Sequence, residues 1–208
     1  MKIINLNAFY LKLIALITMT IDHIGYFIFP DITILRIIGR LSFVIFAYMI
    51  GNGYLYTSNK IKHGLIILLF GILIDIVLLL TNNYINSNIF VTLGLGYFLI
   101  MAYDKKKYLI CLLILLLVLF LPLDYGLYGL LIILFSYIFH NDISKLLITN
   151  FILVVINIYF GIMINIQLFS CLGIILLYFY NNEKGYNLKY FFYVYYPLHI
   201  LVIRLFVN

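Results

Sequence analysis

Between Leu109 and Leu121 the chain consists of aliphatic residues, one cysteine and one phenylalanine, and comparable apolar runs recur along its whole length. A chain of 208 residues, 66% hydrophobic and only 10% charged, cannot hide so many runs in a soluble core, since soluble domains carry about 25% charged residues. The hydrocarbon of a bilayer is roughly 30 Å thick and takes about 20 apolar residues per helix. Inside it the backbone must satisfy its own hydrogen bonds, as helices or as a closed barrel. Barrel strands alternate apolar with polar residues, and the Ile/Leu runs do not. The sequence therefore predicts an all-α fold, a polytopic transmembrane helix bundle. The first apolar segment follows Met1-Lys2, lacks a small-residue cleavage site, and contains Asp22 and His23. It reads as an uncleaved first span rather than a signal peptide.

Polar punctuation predicts about nine spans, near 10–30, 34–56, 62–81, 88–103, 107–122, 125–140, 145–164, 166–181 and 189–207. They form a single membrane domain over 1–208, with no soluble domain or linker expected beside it. Lys2, Lys12, Lys60, Lys62, Lys105, Lys106, Lys107, Lys145, Lys184 and Lys189 all fall at one face if the N-terminus is cytoplasmic. The opposite loops, near Asp31, Asn82 to Asn88, Pro122 to Asp124 and Asn165 to Gln167, contain no lysine. The positive-inside rule makes the lysine face cytoplasmic, and an odd count of spans puts the C-terminus outside. The net charge of +6 is then a topology signal, and no nucleic-acid partner is expected. Cys111 and Cys171, lone cysteines in apolar segments, are expected to pack as small hydrophobes.

The arginines break the pattern. Arg36 and Arg40 lie near the outer start of the second span, four apart and so on one helix face, and Arg204 lies in the outer part of the last, where it can snorkel. Asp22 and His23 fall in the outer half of the first span, Asp75 in the outer half of the third, and His199 near the middle of the ninth. An ionised side chain at the bilayer centre costs about 2.5–3.5 kcal/mol, so pairing is expected, with Asp22 or Asp75 neutralising Arg36 or Arg40. Neither His23 nor His199 is needed for charge balance, and imidazole exchanges a proton near neutral pH. Consecutive helix residues point about 100° apart, which turns Asp22 toward the arginines and His23 toward a cavity. His63 and His140, at inner span ends, read as interfacial. Gly25, Gly39, Gly51 and Gly53 are expected to let the first two spans approach closely, and Pro197 to kink the last helix beside His199. There is no P-loop, no G-x-S-x-G, no H-E-x-x-H and no metal-like cluster of cysteine or histidine, so no metal is expected.

Several segments resemble the TraX family. They are Leu11-Lys12-Leu13-Ile14-Ala15, Thr18-Met19-Thr20-Ile21-Asp22-His23-Ile24-Gly25 and Leu35-Arg36-Ile37-Ile38-Gly39-Arg40-Leu41-Ser42-Phe43. Asn88 to Gly96, Asp124-Tyr125-Gly126 with Gly129, and the closing Phe192-Tyr193-Val194-Tyr195-Tyr196-Pro197-Leu198-His199 continue the resemblance in order. Val44 stands where the family often has proline, and Asn52 and Asp75 where glutamates are expected; Asp75 keeps the charge and Asn52 does not. The resemblance implies an integral-membrane acetyltransferase of the bacterial cytoplasmic membrane. It would move an acetyl group from acetyl-CoA to an amine or hydroxyl acceptor, such as a peptide or pilin N-terminus, another protein or a small molecule. That chemistry needs a base titrating near the working pH, for which His23 ranks before His199. It also needs donors for the oxyanion, which Arg36, Arg40, Tyr196 or the other histidine can supply, with Asp22 and Asp75 in the same charged set. Lys12, Lys60 and Lys62 can steer the CoA phosphates. The rival readings are a small proton- or anion-coupled transporter built on the same charges, and a non-catalytic assembly protein that needs no buried base.

Overall fold

The computed structural model describes residues 5–80, 87–186 and 189–205, without the side chains of residues 189, 190, 193, 204 and 205. The expectations placed on Lys2, on residues 82–86 and on the side chains of Lys189 and Arg204 lie outside the described residues. Among those described there are nine α-helices, one 3-10 turn and no β-strand. The helices are α1 (Ala8–Phe27), α2 (Thr33–Tyr56), α3 (Lys60–Leu80), α4 (Ile89–Asp104), α5 (Tyr108–Val118), α6 (Gly126–Ile138), α7 (Ile143–Tyr159), α8 (Ser170–Leu177) and α9 (Lys189–Leu205). The helices α1, α2 and α3 are long and apolar enough to cross a membrane. The others are apolar but shorter: the 11 residues of α5 rise only about 16 Å. The expected span 166–181 opens as a 3-10 turn, Asn165–Phe169, before α8.

The chain divides into two compact units, one of residues 1–49 and 142–208, the other of residues 50–141. The first unit contains α1, α2 as far as Met49, α7, α8 and α9. Asn7 caps α1, its side chain accepting from the Tyr10 N–H at 3.1 Å, and so satisfies one of the donors a helix start leaves open. The stretch before α1 is clasped to the one after α8. Leu6 N–H donates to Phe179 O and Asn181 N–H to Leu6 O, both at 2.9 Å, and Ala8 N–H donates to Glu183 O at 2.8 Å. Gly161, at φ +69, ends α7 in a left-handed cap, with Ile162 N–H on Asn157 O at 2.8 Å and Gly161 N–H on Ile158 O at 2.9 Å, the Schellman pattern. Leu11, Phe43, Ile45, Leu146, Val154 and Ile174 are fully buried in this unit.

The second unit holds the end of α2 and the helices α3 to α6. A Cβ on Gly71 would come within 2.7 Å of Val91 N, and one on Gly94 within 2.8 Å of Leu68 Cα. The backbones of α3 and α4 therefore meet through small residues, as in membrane helix pairs generally. Val91, Leu99, Val118, Leu123 and Leu130 form the apolar core beside them. The glycines expected to join the first two spans divide. Gly25 faces Leu35 of α2, but a Cβ on Gly51 would meet Tyr137 N of α6 at 2.8 Å, and Gly53 touches nothing within 4 Å.

Candidate functional site

In the first unit, α1 presents Asp22 and His23 to two different helices. Their side chains leave the helix about 100° apart; α2 takes the carboxylate and α9 takes the imidazole. Asp22 Oδ2 lies 2.7 Å from Arg36 Nη1 and Oδ1 lies 2.5 Å from Arg40 Nη2. Arg36 Nη1 also donates to the Asp22 carbonyl at 3.1 Å, and Arg40 Nε to the Arg36 carbonyl at 3.1 Å. The i, i+4 spacing of the arginines is what lets one carboxylate hold both. Asp22 and Arg40 are each 8% exposed, so this is a buried, charge-assisted pairing. One carboxylate against two guanidiniums leaves the trio with an excess of positive charge. Gly39 makes room for it: a Cβ there would overlap the Asp22 carboxylate.

His23 meets α9 through one ring nitrogen. Its Nδ1 lies 2.7 Å from Nε2 of His199 on α9, and the ring centroids are 4.9 Å apart with planes within 15°. That centroid distance is accounted for by the nitrogen contact plus the two ring radii, so the imidazoles meet edge to edge, nearly coplanar. His199 is 5% exposed. Its Nδ1 lies 3.0 Å from the Tyr195 carbonyl, one turn back along α9, and Tyr196 presents its ring edgewise at 5.5 Å. Pro197 lies within this helix, two residues before the histidine.

The pairing of His23 with His199 brings together six of the residues singled out from the sequence: Asp22, His23, Arg36, Arg40, Tyr196 and His199. Asp75 has other partners. In the second unit its carboxylate accepts from the Ser87 hydroxyl, the Asn88 N–H at 2.9 Å and Asn88 Nδ2 at 2.6 Å. Asn88 is the N-cap of α4, so of the two carboxylates expected as alternatives for Arg36 or Arg40, Asp22 pairs with them and Asp75 fixes a helix start. Lys60 lies 3.4 Å from Asp104 and over the Tyr54 ring at 4.0 Å, and lines an open depression of about 430 Å³ with Ser58, Asn59, Ile61 and Lys105. Lys62 is exposed. Lys12 sits near enough to Lys184 for the two ammonium groups to repel.

Four contributors were not singled out. Gln167 Oε1 accepts from Arg40 Nη1 at 3.4 Å, Tyr26 lies under the Arg36 guanidinium at 4.9 Å, and Thr20 and Tyr195 share a hydrogen bond at 3.0 Å. Tyr195 stands four before His199 and Thr20 three before His23, spacings that place each on the face of its histidine; that was the available signal. Among the described residues no group of three or more His, Cys, Asp or Glu side chains is arranged to hold a metal ion.

The family model described as TraX protein matches residues 8–207. The chain is also 36% identical over 87 residues to an uncharacterized protein of Rickettsia prowazekii (strain Madrid E), a stretch covering 41% of this chain and 33% of that relative. The similarity thus spans about a third of that protein's length. No solved structure gives a significant match.

Proposed function

The chain belongs to the TraX family, and from that premise we propose that it is a membrane-embedded acyltransferase carrying acetyl from acetyl-CoA to an amine or hydroxyl acceptor. The observation that carries this reading is the contact of His23 with His199 at 2.7 Å, in the same unit and on the same helix as the paired Asp22. A nucleophile attacking a thioester must shed a proton, and an imidazole titrates in the range where it can take it. The oxyanion that forms needs preorganised positive charge or donors, and two guanidiniums sharing one carboxylate supply that charge. The donor's phosphates would be met by lysine. Lys12 precedes His23 on α1 by a rise of about 16 Å, a length an extended phosphopantetheine arm covers. Lys60 and Lys62 offer further cations in the second unit. The acceptor is a peptide terminus, another protein or a small molecule, reached at the membrane. In this reading the chain crosses the bacterial cytoplasmic membrane nine times from a cytoplasmic N-terminus.

The test is purified protein in detergent, titrated with acetyl-CoA and followed for free CoA, wild type beside His23→Ala. Binding and slow thioester loss that vanish in the variant support the reading. A wild type that neither binds nor consumes acetyl-CoA overturns it. Solute or proton flux in proteoliposomes would then favour the transporter reading, which draws on the same buried charges.

A further inference from the structure

We propose that Lys12 and Lys184 together hold one phosphate group where α1 enters the bilayer. The site lies wholly within the first unit. Its occupant is an acidic phospholipid headgroup or the phosphate end of the acyl donor, and only the second source rests on the reading above.

The placement follows from the backbone. Leu6 and Ala8, at the start of α1, are tied to Phe179, Asn181 and Glu183 by hydrogen bonds of 2.8 to 2.9 Å. Gly185 turns the chain at φ +66 and packs so closely on Asn7 that a Cβ there would come within 2.6 Å of its side chain. Lys184 stands between the anchored Glu183 and Gly185, so the clasp delivers it to the first turns of α1. Lys12 follows Ala8 by four residues, one helical turn further on the same face. The two ammonium groups come close enough to repel each other.

Carboxylates do not answer these charges. Among the described residues, the lysines in ion pairs are Lys60 with Asp104 and Lys145 with Asp142; Lys12 and Lys184 are in none. Glu183 is next in sequence, but its carboxylate accepts from Asn181 Nδ2 at 2.8 Å. Asp22 lies about 15 Å further along α1 and is held by the arginines. Lys12 is half-buried, and a charge withdrawn from water is ordinarily paired. A phosphate meets both lysines at once. Its oxygens accept from two ammonium groups, and its negative charge replaces their repulsion with attraction.

Neighbouring rings set the depth of the site. Phe9 meets Tyr10 and Tyr186 edgewise, each at 5.5 Å, and these tyrosines are 45% and 72% exposed. Exposed tyrosines at the end of a span mark the headgroup level of a membrane. Lys12 reaches that level by running its stem along α1, and Lys184 is exposed. Basic pockets between helix ends are where acidic headgroups bind.

Two probes test the site in the whole protein. Retention of phosphatidylglycerol against phosphatidylcholine is read by native mass spectrometry, and CoA binding by calorimetry in phosphatidylcholine nanodiscs. Wild type should hold at least one of the two. Lys12→Gln and Lys184→Gln should each weaken that binding by about fivefold, and Lys184→Arg, which keeps the charge, should retain it. The double glutamine variant should depart from the product of the single losses, as groups that share a partner do. A loss confined to phosphatidylglycerol identifies a headgroup and removes the donor phosphate from Lys12; a loss confined to CoA identifies the donor. The site is overturned by a wild type that binds neither probe, by wild-type affinity in Lys184→Gln, or by equal losses in the Arg and Gln variants at 184. Single losses that multiply strictly place the ammonium groups on separate ligands and overturn it too. Lysine-dependent retention of phosphatidylglycerol in a protein that consumes no acetyl-CoA supports the site and sinks the acyl-transfer reading instead.

Discussion

Asp22 and Asp75 are the same residue type in similar apolar helices, and the two units use them in opposite ways. Asp75 is surrounded by neutral donors from the next helix start, Ser87 and Asn88, and Asn88 in turn donates to the Gly71 carbonyl at 2.7 Å. All of its partners are local and all serve to begin α4. Asp22 is bound by two full positive charges from α2, one residue from a histidine joined to the far end of the chain. A carboxylate among neutral dipoles is a splice. A carboxylate holding two guanidiniums beside an imidazole is a charge assembly, and only the second arrangement sets full positive charges against the carboxylate.

That contrast can be broken most forcefully at Asp22. Replacement by alanine strands two buried guanidiniums, a loss on the order of 3–5 kcal/mol. Thermal unfolding in detergent should show a large fall in midpoint together with loss of thioester consumption. An unchanged midpoint would mean that the arginines do not depend on the carboxylate. Next in size is Gly39→Ala, which introduces a methyl into the space of the Asp22 carboxylate. Overpacking of this kind costs about 1–3 kcal/mol, and displacement of Asp22 should lower activity more than stability. Alanine at 39 with wild-type activity would show that the carboxylate can shift freely. The smallest effect is expected at Asp75→Asn. The amide oxygen can keep the bonds from Asn88 and the Ser87 hydroxyl can rotate to accept, so the cost should be about 1 kcal/mol or less, with activity intact. A catalytic defect in that variant would erase the distinction between the two carboxylates.

Much of this was legible in the residues. Apolar runs located every helix among the described residues, because lipid leaves the backbone no alternative, and Asp22 turning to Arg36 and Arg40 follows from helical spacing within one hairpin. The 3-10 turn at Asn165–Phe169 was not anticipated, since the polar Asn165 and Gln167 read as the edge of a span while Gly161 was already ending α7. Which of Asp22 and Asp75 would meet the arginines stayed open for a different reason. A charge pattern shows the sign of a residue's neighbours and is blind to neutral partners such as Ser87 and Asn88. The contact of His23 with His199 was beyond a single sequence altogether: each histidine stood out, but nothing local specifies which helix face meets which across 176 positions.

The same separations order the assembly of the site in time. Arg36 and Arg40 follow Asp22 by only 14 and 18 residues, so during synthesis, which delivers the N-terminal part first, the carboxylate can pair with both guanidiniums as soon as the first helical hairpin has formed. His199 follows His23 by 176 residues. The early hairpin therefore carries its buried ion pairs, with one positive charge still in excess, before His199 on α9 is made and can meet His23.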